Sequence, residues 1–212
     1  MNNINDFIID YLNDINHPQS MESQIRFYQS LVLYEAIGHA CNKGEYNVNG
    51  KVYKNRHFDR RKKTSLIALK EELFRRMNAI EIAKSFDEVY NIVQEEGKKI
   101  KDIGALTIYD IAVRVGASIN VLPSKLYLQA GAVIGACKLG IIANIKNLVI
   151  DVEAMNIKYP ALKKLNTYQV ENFLCVYKDK FKDESNGRFT RLISKRIKKN
   201  NLIRQKEYKR FC

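Results

Sequence analysis

Apolar side chains return at helical spacing along almost the whole of this chain, and no other feature constrains its fold so strongly. Phe7, Ile8, Tyr11, Leu12 and Ile15 share one helical face before His17-Pro18 ends the run. Ser20 is placed to cap a second, longer helix, whose stripe of Ile25, Tyr28, Leu31, Val32, Leu33, Ala36 and Ile37 is wide enough to pack inside a bundle. A third face carries Leu66, Leu69, Leu73, Phe74 and Met77. Ser85-Phe86-Asp87-Glu88 is a capping box opening a helix through Val89, Ile92 and Val93 toward Ile100. Leu122-Pro123-Ser124 starts another, in which Ala130, Gly131, Ala132, Gly135 and Ala136 form a stripe of small residues, with Leu126, Leu128, Val133 and Ile134 interleaved. Small residues at that spacing let a second helix approach closely. Asn166 or Thr167 caps a helix bearing Val170, Phe173, Leu174 and Tyr177. With 10 Gly and 3 Pro in 212 residues, a loop-rich β-protein is excluded, and 46% apolar residues supply a core. One β element is expected, because Tyr46-x-Val48, Asn49-Gly50 and Val52-Tyr53 spell a hairpin with a two-residue loop.

Charge divides the chain differently. The net charge is +13, with −4 over residues 1–50, +7 over 51–77, +1 over 78–177 and +9 over 178–212. A basic excess of this size points to polyanionic partners, and it is concentrated in two blocks. The first contains Arg56, Arg60, Arg61, Lys62 and Lys63 and opens a helix. Cations in a first helical turn oppose the macrodipole, so an anionic ligand is expected nearby. The second is the C-terminal segment 186–212, with Arg191, Lys195, Arg196, Lys198 and Lys199. There Phe189, Leu192, Ile193 and Ile197 recur at helical spacing up to a break at Asn200-Asn201. Trp is absent and the apolar face is narrow, which places a membrane surface behind nucleic acid or an acidic protein as partner.

Met1 to Asp6 has no positive n-region followed by an apolar run, and the uncharged stretch Leu126 to Cys137 is too short to span a bilayer. A soluble cytoplasmic protein is expected. Cys41, Cys137, Cys175 and Cys212 are scattered without a C-x-x-C pair, so reduced thiols are the simplest reading. His39-x-Cys41 has no second pair to complete a metal site, since His17 and His57 stand alone. No phosphate-binding glycine loop, H-E-x-x-H or G-x-S-x-G motif is present, and no metal or cofactor is expected.

The segment from Lys98 to Gly116 carries the functional reading. One helix ends near Lys101, a turn with Asp102-Ile103-Gly104 follows, and a new helix begins at once, with Ile108, Ile111, Ala112 and Val115 on one face and Gly116 placed as its stop. Residues 91–116 resemble the helix-hairpin-helix superfamily, whose turn is written Gly-apolar-Gly. Ile103-Gly104 matches the second half, Ala112 matches a small packing residue, and Asp102 stands in place of the first glycine. The resemblance implies binding of DNA backbone phosphates. In physical terms, a tight turn feeding a helix leaves its first N–H groups unpaired toward the phosphate. Gly104 and Ala105 would offer that backbone, and Lys99, Lys101 and the Thr107 hydroxyl would add charge and a donor. The same residues also describe a plain helix-helix corner, and both readings stand at this point.

The resemblance extends to DNA glycosylases, which place a catalytic aspartate shortly after the hairpin. Between Asp110 and Asp151 this chain has no Asp or Glu, and Leu106 sits roughly where a nucleophilic lysine would stand. Asp110 is spaced to pair with Arg114 one turn on. The expectation is thus a mainly α protein: a compact helical domain over residues 1–185 with the helix-hairpin-helix-like element and one small β-hairpin, followed by the basic tail. Sequence-nonspecific DNA binding is the leading function. A helical protein-interaction module and a nucleic-acid-processing enzyme on a glycosylase-like scaffold are the alternatives, with no catalytic motif found.

Overall fold

In a computed structural model of the chain, residues 4–55, 58–59, 61–141, 149–150 and 152–182 are described. The protein is mainly helical, as the periodicity predicts. The contacts of the described residues divide them into two compact units, a central one within Asn13–Ser124 and a terminal one formed by the described residues before and after it.

The central unit is built around one helix. It comprises α2 (Met21–Gln29), α3 (Leu33–Cys41), the strands β1 (Tyr46–Val48) and β2 (Lys51–Tyr53), then α4 (Lys63–Arg75), α5 (Met77–Glu81), α6 (Phe86–Lys98) and α7 (Ala105–Ser118). Every residue of α7 from Thr107 to Ala117 is buried, and α2, α3 and α6 pack against it. A helix covered on all sides is the centre of a unit rather than a wall of it. Ser20 caps α2 by accepting from the Ser23 N–H at 3.0 Å. Ser85 caps α6 in the same way through Glu88 N–H, while the Glu88 carboxylate accepts from the Lys84 N–H and the Ser85 hydroxyl. The hairpin pairs Tyr46 with Tyr53 and Val48 with Lys51, and Asn49 and Gly50 take φ of 52° and 80°, the two left-handed residues that such a turn requires.

Two expectations fail here for local reasons. The long second helix is broken into α2 and α3. The Ser30 hydroxyl donates to the Phe27 carbonyl, a side-chain bond that competes with helix continuation, and Val32 turns extended with its side chain in solvent. Gly116 does not stop α7, which continues to Ser118 and ends before Asn120 at φ 59°. A side chain at Gly116 would collide with the Val121 carbonyl, which folds back on that turn of the helix.

The terminal unit contains α1 (Ile4–Asn13), whose last residue lies across the division, then β3 (Leu126–Tyr127), α8 (Ala130–Lys138), β4 (Val149–Ile150), α9 (Val152–Lys158), a 3-10 turn at Pro160–Lys164 and α10 (Thr167–Tyr177). The expected helix from Leu122 begins only at Ala130. Leu126 and Leu128 belong to an extended segment instead, in which Leu126 pairs with Ile150 and Tyr127 with Val149. The small-residue stripe does what its spacing predicts: α8 lies against α10, with Gly131 against Cys175 and Gly135 against the Leu174 backbone. Gln169 accepts from the Asn166 N–H at 2.8 Å to close the capping box of α10. Around this pair sit Ile8, Leu126, Leu128, Val133, Met155, Leu162, Val170 and Phe173. Rings of Phe7, Tyr11, Phe173, Tyr177 and Phe181 pack together at the α1 side, where Tyr177 donates to Asp10 and Tyr11 to Asn172. Lys158 and Tyr159 both donate to the Leu139 carbonyl at 2.7 Å, so a cation sits at the negative end of α8.

Among the described residues no helix is long and apolar enough to cross a membrane. The basic tail, residues 186–212, lies outside the described residues.

The close approach of α8 to α10 yields a paired test. Gly135→Ala drives a methyl into the Leu174 carbonyl and lowers stability by about 1–3 kcal/mol, as overpacking does. Gly38→Ala, inside α3 with no atom within 4 Å of the new methyl, raises it by about 0.5–1 kcal/mol. Urea denaturation of the two variants should therefore move in opposite directions.

Candidate functional site

The turn between α6 and α7 holds most of the residues singled out by sequence. Helix α6 ends through bonds from the Lys99 N–H to Glu96 and from the Ile100 N–H to Gly97. Asp102 then takes a left-handed φ of 70°, which supplies the reversal that a glycine would otherwise make. Aspartate tolerates this region better than most residues, so its presence at the turn has a conformational reason. Gly104 is extended, with φ −103° and ψ 171°, and is the N-cap of α7 without a side chain to cap it. The first bond of α7 runs from the Ile108 N–H to the Gly104 carbonyl, which leaves the amides of Ala105, Leu106 and Thr107 as the open end of the helix. Ala105 is exposed, and the space above Gly104 is empty to 4 Å. Beneath the turn the interior is apolar and full. A Cβ at Gly97 would stand 2.9 Å from Ile108 and 3.1 Å from Ile103, and Ile103, Ile108, Ile111 and Ala112 are all buried.

The first basic block reaches this turn. Arg61 donates to the Asp102 carbonyl at 2.7 Å, and the Lys62 ammonium lies 3.9 Å from the Asp102 carboxylate. Lys62 is the N-cap of α4, Lys63 its first residue, both are exposed, and no acid stands in that first turn. Arg61 and Lys62 thus meet the turn that precedes α7 from a segment distant in sequence. Lys101 is exposed beside them. Arg56 and Arg60 lie outside the described residues, as do Arg191, Lys195, Arg196, Lys198 and Lys199.

Two of the expected phosphate ligands are placed differently from the rest. Lys99 binds Glu96 at 2.6 Å, and Glu96, only 3% exposed, also takes Arg76 at 3.0 Å. Lys99 thus pairs with a buried carboxylate that Arg76, just before α5, also holds, while its own side chain is 65% exposed. Thr107 is 4% exposed, and its side chain lies inside the unit. At the turn itself the open groups are the first α7 amides, with Lys62 at the Asp102 carboxylate and Lys63 and Lys101 exposed next to these two in sequence. Such groups can hold an anionic oxygen through backbone donors and screened positive charge, without reading bases. Among the described residues, no group of three or more His, Cys, Asp or Glu side chains is placed to hold a metal ion. Cys41 is buried, and burial pushes its thiol up to about 12, so it stays protonated and packed. His39 instead meets the Phe27 ring edge-on and approaches Glu45 at 3.8 Å.

Further along α7 lies a residue whose importance the sequence did not reveal. Arg114 is 1% exposed. Its guanidinium lies 3.7 Å from the Asp110 carboxylate, donates to the Asp110 carbonyl and to Gln24 Oε1 at 2.6 Å each, and sits over the rings of Phe58 and Tyr28 at 5.7 and 5.9 Å. Its Nε has no hydrogen-bond partner among the described residues and faces Gly44. Gly44 has φ 59°, and a Cβ there would stand 3.2 Å from Arg114, Asn55 and Phe58 at once. The i, i+4 spacing of Asp110 and Arg114 was legible, but their depth was not. Arg114→Met removes the guanidinium from beside a buried carboxylate and should destabilise by about 3–5 kcal/mol, with part of the loss recovered in Asp110→Asn/Arg114→Met. Urea midpoints of the single and double variants check this coupling.

No family model, curated protein or solved structure matches this chain.

Proposed function

We propose that this is a sequence-nonspecific DNA-binding protein of the cytoplasm that contacts backbone phosphates at the α6–α7 turn, in the manner of the helix-hairpin-helix superfamily it resembles. The observation that carries the reading is the convergence of Arg61 and Lys62, from one end of the chain's basic block, on the turn that opens the N-terminus of α7. Three further features support it. Gly104 leaves the first amides of α7 without a side-chain cap, the space above it is empty, and Lys63 and Lys101 are exposed alongside. The left-handed Asp102 makes the bend that the family makes with glycine. Phosphate contacts fix a protein on the duplex and carry no base information, so the affinity is electrostatic and the specificity low.

Such binding weakens linearly in a plot of log affinity against log salt, by about 0.9 per phosphate neutralised. Gly104→Asp separates this function from the fold. The backbone at 104 suits any residue and nothing lies within 4 Å of the new side chain. Aspartate is also a better N-cap than glycine, by a few tenths of a kcal/mol. The variant should therefore be at least as stable as the wild type while binding a labelled mixed-sequence duplex several-fold more weakly, because its carboxylate takes the amides that a phosphate would use. Equal affinity in the two proteins would remove the turn from the function.

A further inference from the structure

We propose that Asp102 is an internal competitor for the anion at this turn: its carboxylate engages Lys62 in the free protein and must yield that lysine to a DNA phosphate. The inference rests on the phosphate-binding reading and names the residue that sets its strength.

The geometry behind it is specific. Asp102 is held by its own backbone, since Arg61 donates to its carbonyl at 2.7 Å and its φ is fixed at 70°. From that anchor the carboxylate reaches 3.9 Å from the Lys62 ammonium, whose side chain is 71% exposed. The adjoining residues Lys63 and Lys101 are exposed cations, and the first turn of α4 carries no acid. A carboxylate from the opposite side of the turn therefore supplies the counter-charge that the N-terminus of α4 lacks in its own sequence. An exposed pair of this length adds little to folding, so its removal leaves the protein intact. Its effect on a polyanion is larger in kind. When Lys62 leaves Asp102 for a phosphate it displaces a counterion from the DNA, but the freed carboxylate takes one up, so the net release is small; once the carboxylate is gone, the release is uncompensated.

Salt titration of a fluorescein-labelled mixed-sequence duplex by anisotropy, from about 50 to 200 mM salt, tests this on the full chain. Asp102→Asn keeps the side-chain shape and tolerates the left-handed backbone, and Asp102→Gly keeps the turn with no side chain at all. Both variants should bind about two- to fivefold more tightly than the wild type, the factor that an exposed ion pair is worth, with a salt slope steeper by about 0.9. In a Lys62→Ala background the same substitution should leave the slope unchanged, because no lysine remains there to displace a counterion from the DNA. Wild-type binding with an Asp102→Asn slope equal to it overturns the inference alone, as does a steepening that persists without Lys62. Absence of wild-type binding at low salt overturns the phosphate reading and this inference with it.

Discussion

The central unit depends on one buried cation. A helix covered on every side has no solvent-facing position for an arginine, yet Arg114 occupies the third turn of α7 at 1% exposure. Removing a guanidinium from water is tolerable only if its charge and its donors are met. The surrounding structure does most of this: Asp110 from the same helix, Gln24 from α2, and the faces of Tyr28 and Phe58 from α2 and the basic loop. Tyr28 in turn donates to the Glu45 carbonyl at 2.7 Å, which ties the entry to the hairpin to the same centre. Burial raises the Tyr28 hydroxyl well above its ordinary value, and Arg114 opposes that only in part. The α2 helix, the segment from Gly44 to Tyr46 and the loop at Phe58 are thereby fixed relative to α7.

That arrangement has a consequence for the turn. Phe58 is wholly buried beside Arg114, and the Arg61 N–H donates to the Phe58 carbonyl. An anchored Phe58 sets where Arg61 and Lys62 emerge, and they emerge at Asp102. Arg61 is therefore held at one side by the backbone of a core aromatic, through the Phe58 carbonyl, and at the other by its hydrogen bond to the turn. The terminal unit solves a different problem by a different device. It joins α8 to α10 through glycines at 131 and 135, where close backbone approach replaces side-chain interdigitation, and it seats α1 on α10 with aromatic rings and two tyrosine hydrogen bonds.

Features whose cause is local were legible in the sequence. Asn49-Gly50 specifies its turn because two successive left-handed residues are needed there, and Ser85 with Glu88 specifies a helix start because each satisfies donors of the other's backbone neighbourhood. The glycine spacing of α8 announced a close partner, although not which one. Features whose cause lies far away were not legible. Arg61 meets Asp102 across 41 residues and Tyr177 meets Asp10 across 167, and no spacing rule connects such pairs. The two-residue strands at Leu126 and Val149 are too short to impose a period, so apolar residues there read as part of the helix that follows. Thr107 and Lys99 stand next to the turn in sequence, but no spacing rule shows that the Thr107 side chain is buried or that Lys99 pairs with Glu96.

The central functional claim is that an anion reaches the first amides of α7. Backbone amide NMR of the full chain, titrated with a short mixed-sequence duplex at low salt, reads this directly. The largest, salt-sensitive shifts are expected at Ala105, Leu106 and Thr107, with smaller ones at Lys62, Lys63 and Lys101. Shifts concentrated elsewhere, with residues 105–107 unmoved at saturation, would contradict an anion at this turn.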